Sequence, residues 1–147
     1  MDERDVALRN HVYRRFVELG HAPSLGETAA ELELGAEKAE AGLRRLHDAH
    51  ALVLEDDRPE IRMAHPFSAV PTPHRVEAAG RLWYANCAWD AFGIPAALAV
   101  DGRISTVCRD CAETIEVAVV EQQPVPDEGV AHFLLPAERW WDDIVFT

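Results

Sequence analysis

Apolar residues recur at helical spacing through the first fifty positions. Val6, Leu8, Val12, Tyr13, Phe16, Val17 and Leu19 form a stripe that predicts a helix over residues 5–19, with Gly20 as its left-handed stop. Ser24 and Glu27 then stand at capping-box spacing and open a second, short helix that ends near Leu34 and Gly35. A third helix is expected over residues 36–50, with Ala39, Leu43 and Leu46 facing inward. The pattern next shortens to two apolar runs, 51–54 and 61–63, on either side of the polar stretch 55–60, which reads as two strands and their turn. Three helices followed by a two-stranded wing make a winged-helix-like three-helix domain over residues 1–64.

Residues 65–75 are punctuated by Pro66, Pro71 and Pro73, each of which restricts its own backbone and that of the residue before it, so this stretch is expected to be a linker. Beyond it the patterning is mixed. Residues 76–84 suggest a short strand and turn, and a helix starts near Cys87 and runs towards Val100 with a break or fresh first turn at Pro95. Gly102 marks a turn, residues 103–107 and 114–121 read as strands around a Cys-Arg-Asp-Cys knuckle, and residues 130–135 as another. The fold class is therefore α+β, with a small, mixed or antiparallel sheet in a second domain over residues 76–147.

Charge narrows the function. The 147 residues carry 26 acidic against 14 basic side chains, a formal charge of −12 that repels phosphate backbones and anionic lipids. The expected third helix is near neutral and the wing carries Glu55, Asp56, Asp57 and Glu60 against Arg58, so the basic footprint of a DNA reader is missing and no nucleic-acid partner is expected. A packing or homodimerisation module is the favoured reading of that domain. The acidic N-terminus has no apolar signal core and no stretch is long enough to span a membrane, which points to a cytoplasmic protein with no membrane partner. Three cysteines, an odd count, argue for reduced thiols rather than a disulfide framework.

Those thiols are the candidate chemistry. Cys108 and Cys111 flank two residues, a spacing from which a tight turn can chelate one soft ion. A structural zinc site needs two more ligands; Cys87 is a candidate third, and His74 or His132 a fourth. Two incidental half-buried cysteines would also explain the pair. Cys87 and Asp90 lie three apart on the expected helix, hence on one face, where a thiolate can hold an electrophile while a carboxyl moves a proton. The helix start is expected to favour thiolate over thiol. A buried Cys beside a capping Asp is the plainer alternative. Trp83, Trp89, Trp140 and Trp141 are core anchors or the lining of an apolar pocket for a small organic group.

The stretch from Arg81 to Leu98, Arg-Leu-Trp-Tyr-Ala-Asn-Cys-Ala-Trp-Asp-Ala-Phe-Gly-Ile-Pro-Ala-Ala-Leu, resembles the signature of the alkylmercury (organomercurial) lyases, with Cys, two residues and Asp ahead of a run to Pro-Ala-Leu and a further Cys, here Cys108, beside a turn. The resemblance implies a winged-helix-like N-terminal domain and protonolysis of a carbon–mercury bond. Cys87 would take up the mercury as a thiolate, Asp90 would deliver the proton to the departing carbon, and Cys108 would be structural. No cofactor is implied, since mercury is substrate and product. Residues 140–147 resemble the approach to a second essential Cys that this sequence does not contain, so the resemblance implies a C-terminally shortened member with an incomplete lyase-like domain. Cys108 or Cys111 can stand in for it only if either lies near Cys87. The alternative is a non-catalytic carrier or sensor that binds mercury, copper or zinc through Cys87, Cys108 and Cys111.

Overall fold

The computed structural model describes residues 1–146 and divides into two compact units, residues 1–71 and 72–147. Thr147, the last residue of the expected lyase-like stretch, lies outside the described residues.

The first unit opens with α1, Glu3–Leu19. It starts two residues before the apolar stripe because Asp2 and Asp5 form a reciprocal capping box, with the Asp5 amide donating to Asp2 Oδ1 at 2.9 Å. Gly20 ends it in the left-handed conformation (φ 83°) and donates to Phe16 O. Of the stripe, Leu8, Val12 and Phe16 are buried, while Val6 and Val17 lie on the solvent side. The Ser24–Glu27 box opens α2, Leu25–Glu31, and α3 follows at Ala36–Asp48 with Ala39, Leu43 and Leu46 buried as expected.

Three antiparallel strands complete the unit: β1 Val53–Leu54, β2 Ile61–Ala64 and β3 Phe67–Ser68. The third falls within the stretch expected to be linker. Phe67 pairs with Ala64 and stacks on Phe16 with ring centroids 5.1 Å apart, so an aromatic between two prolines was strand and core rather than connection. Asp5 is buried against Arg45, whose Nε and Nη2 donate to Asp5 Oδ1 at 3.0 and 2.8 Å. That ion pair bridges α1 and α3, and it holds the Asp5 carboxyl below its usual range.

The second unit is built on a five-stranded antiparallel sheet. Its strands are β4 Arg75–Ala78, β5 Arg81–Tyr84, β6 Gly102–Val107, β7 Thr114–Val120 and β8 Gln123–Val125, in the order β5-β4-β6-β7-β8. Two-residue turns at Ala79-Gly80 and Glu121-Gln122, all four residues left-handed, match the twist that tight hairpins require. Between β5 and β6 runs α4, Ala88–Leu98, which packs on β4 and β6.

Pro95 sits inside α4 without breaking it, contrary to expectation. It is fully buried, and its ring lies where a side chain on Gly102 would have to go: a Cβ there would meet Pro95 Cγ at 2.8 Å and Glu77 O at 3.2 Å. Gly102 is therefore the first residue of β6, paired with Ala78 and Val119, and its lack of a side chain admits the helix. Residues 130–135 form no strand; Val130 and Leu134 are exposed and the chain continues into a short 3₁₀ helix, Ala137–Asp142. An apolar run without alternation or a paired neighbour has no ladder to join. Among the described residues no helix is long and apolar enough to cross a membrane.

Candidate active site

The approach to α4 is clamped from both sides. The Ala85 N–H donates to His74 O at 2.9 Å, and the Ala85 carbonyl accepts from Thr72 Oγ1 at 2.6 Å. The same hydroxyl receives the His74 N–H at 3.2 Å. Two residues later Cys87 caps the helix in extended conformation (φ −148°, ψ 179°), its sulfur accepting the Asp90 N–H at 3.5 Å. A thiol thus fills the place usually taken by Ser, Thr, Asp or Asn. The cap geometry brings Asp90 back over Cys87, and Asn86 Nδ2 donates to Asp90 Oδ2 at 2.8 Å. Asn86, Cys87 and Asp90 are all half-buried, so the group is neither sealed nor washed by solvent.

Burial pushes the Cys87 thiol above its usual range. The amides of Asp90 and Trp89 pull it down and the Asp90 carboxylate pushes it further up, leaving a net rise. The expectation of a thiolate favoured by the helix start is corrected here: removing the sulfur from water outweighs the two amides, and Cys87 rests as a thiol that still holds its proton.

His74, weighed as a metal ligand, is hydrogen-bonded through Nδ1 to Thr106 Oγ1 at 2.8 Å. Its pKa is lowered by burial and by Arg109, against the pull of Asp90. His132 lies elsewhere, in an open groove of about 420 Å³ shared with Trp89, Phe133, Leu135, Pro136 and Trp140. Phe133 and Trp140 pack at 5.1 Å, and Trp140 Nε1 donates to Leu135 O. Trp83 is a core residue whose Nε1 donates to Ala78 O, whereas Trp89 stands 63% exposed at the groove. Another open groove, about 550 Å³, lies along Glu77–Leu82 and Asp101 and includes neither Cys87 nor Asp90.

Cys108 and Cys111 occupy the turn between β6 and β7. The amides of Cys111 and Asp110, and the Cys111 thiol, donate to the Cys108 sulfur and draw its pKa down. All three cysteines are free thiols. Among the described residues, however, no group of three or more His, Cys, Asp or Glu side chains is arranged to hold a metal ion. Cys87, Cys108 and Cys111 are thus not gathered into one ligand set: one caps a helix, and the other two face each other in a hairpin turn. Sequence reasoning missed Thr72 and Asn86. The Thr72-Pro73-His74 spacing is that of a hydroxyl turn and carried a signal for the clamp; nothing in the sequence pattern marked Asn86.

With this geometry in hand, the family comparison is decisive. The alkylmercury lyase (MerB) family matches residues 67–147, more than half of the chain. The chain belongs to the alkylmercury lyase family. The matched stretch contains Cys87, Asp90 and both turn cysteines, so every thiol of the chain falls within the lyase-like part. The fold is similar to the crystal structure of the mercury-bound form of MerB2, with a TM-score of 0.68 and 22% identity over 86% of this chain. The match spans 62% of that protein's length. No curated protein matches the chain.

Proposed function

We propose that this alkylmercury lyase family member cleaves carbon–mercury bonds by protonolysis, with Cys87 taking the mercury and Asp90 carrying the proton. The observation that supports the reading most directly is the cap: the sulfur of Cys87 and the first turn of α4 around Asp90 are joined by one hydrogen bond, so a mercury on the sulfur and the carbon attached to it would lie within reach of the carboxyl. Mercury is a soft acceptor and sulfur its natural ligand.

The resting thiol makes the proton balance simple. When Cys87 forms its S–Hg bond, the S–H proton passes to the Asp90 carboxylate. When the Hg–C bond breaks, that proton goes from Asp90 to carbon, and the hydrocarbon leaves with the former bonding pair as its new C–H bond. Hg(II) remains on Cys87 and is drawn off by a thiol from solution. Asn86 holds one Asp90 oxygen and orients the other towards the sulfur.

In this reading residues 1–64 are a winged-helix-like module, residues 65–75 the connection and residues 76–147 the lyase-like part. The order of three helices and a small antiparallel sheet supports the first assignment, and its acidic wing supports packing rather than DNA contact. Three reduced thiols suit a cytoplasmic setting.

The test is release of hydrocarbon from a simple organomercurial under excess monothiol, comparing the natural chain with Cys87→Ser. Turnover by the natural chain and none by the variant is the expected result. Stoichiometric mercury binding without hydrocarbon would replace the enzyme by a carrier, and hydrocarbon release undiminished in Cys87→Ser would remove Cys87 from the chemistry.

A further inference from the structure

The turn between β6 and β7 has an order that the hairpin alone does not require. The Cys108 N–H donates to Glu113 O at 2.8 Å and extends the ladder by one rung. The chain then folds through a single tight turn, with the Ala112 N–H on Cys108 O at 3.0 Å and Ala112 left-handed (φ 61°). That turn carries Cys111 back over Cys108. As a result the Cys108 sulfur receives the N–H groups of Cys111 and Asp110 together with the Cys111 thiol. Successive amides aimed at one atom form a small anion-holding concavity, and here the atom inside it is sulfur.

Access is open as well. Cys111 is exposed and Cys108 half-exposed, in contrast to the more confined Cys87. With no third protein ligand gathered at the pair among the described residues, a tetrahedral zinc centre is not what this turn is shaped for. Soft cations that favour two sulfurs in a near-linear arrangement need nothing more than the two thiolates.

We propose that Cys108 and Cys111 form a self-contained two-sulfur site for a soft, two-coordinate cation of the Hg(II) class, separate from Cys87. Binding replaces two S–H bonds by two S–metal bonds and releases two protons to solvent, with no change of oxidation state. Arg109 and Asp110 project from the exposed turn and leave the sulfur side free of bulky neighbours. The proposal does not rest on carbon–mercury cleavage, so either reading can fail while the other stands.

The experiment uses the full chain as Cys87→Ser, which removes the competing thiol, and the same chain with Cys108→Ser or Cys111→Ser added. Each protein is kept reduced under argon, loaded with one equivalent of Hg(II), and challenged with glutathione while native mass spectrometry follows the bound ion. A chelating pair should resist the monothiol about 10²-fold better than either lone cysteine, because the second sulfur acts at high effective concentration. X-ray absorption at the mercury edge should find two protein sulfurs before glutathione is added. If Cys87→Ser gives up its mercury at the same glutathione concentration as the two double variants, the pair does not act as one site and the proposal is overturned. The double variants remove different sulfurs from an exposed turn, and matching thermal melts show that the hairpin is intact in each.

Discussion

The two units use burial in opposite ways. In the first, Phe16 and Phe67 stack within a closed core of helix and strand residues, and even the polar groups Asp5 and His11 are withdrawn from water and paired. In the second, Val76, Trp83, Ile94 and Ile104 are buried, yet Leu82, Val107, Ile115, Val120 and Val125 along the same sheet are exposed. All three thiols belong to this second unit and none is fully buried. A closed core gives stability and offers no reactive group to a ligand. The half-covered unit gives up some burial and keeps a thiol, a carboxyl and a dithiol turn within reach of solvent.

Four measurements would break or sharpen that contrast. The largest effect is expected from Asp90→Asn, which removes the proton carrier and should slow hydrocarbon release about 10²- to 10⁴-fold, the usual contribution of a positioned acid, while mercury binding to Cys87 persists. Single-turnover kinetics would show it, and a rate within a few-fold of the natural chain would place the chemistry elsewhere. Next comes Phe16→Ala, which empties half of the Phe16–Phe67 stack and should cost about 3–5 kcal/mol in urea unfolding. An unchanged midpoint would mean that the first unit is not the closed module described.

A smaller effect concerns acid. His11 is buried in the first unit, and burial lowers its pKa despite the pull of Glu31; His74 is lowered for the same first reason in the second. An unfolded chain takes up these protons near the ordinary histidine value of 6.5, while the folded chain resists until lower pH. Stability from these groups is therefore full above that value and declines as pH falls through the folded pKa. Melting between pH 7.5 and 5 should show the decline, and His11→Gln and His74→Gln should each flatten part of it. A slope indifferent to both substitutions would refute this assignment. The smallest effect is expected from Ile115→Ser on the open sheet, within about 0.5 kcal/mol of the parent, as for most surface positions. A loss of several kcal/mol there would mean that the face is covered after all.

Much of this molecule was legible before any coordinate. The periodic stripe of α1, the Ser24–Glu27 box and the inward face of α3 follow from local rules of helix geometry and capping, which act within a few residues. The Cys87–Asp90 pairing was equally local, since it needs only one turn of helix. Other features depended on partners far along the chain. Phe67 became strand and core because Phe16 and β2 were there to receive it. Pro95 stayed helical because Gly102, on the neighbouring strand, left room for its ring. The Cys87 thiol keeps its proton because packing strips water from the sulfur, a desolvation that no spacing of residues announces. Short-range patterning determined which elements form and which reactive residues share a turn; the tertiary structure alone decided which cysteines meet, which stay apart and which remain protonated, because those outcomes depend on packing between segments that are distant in sequence.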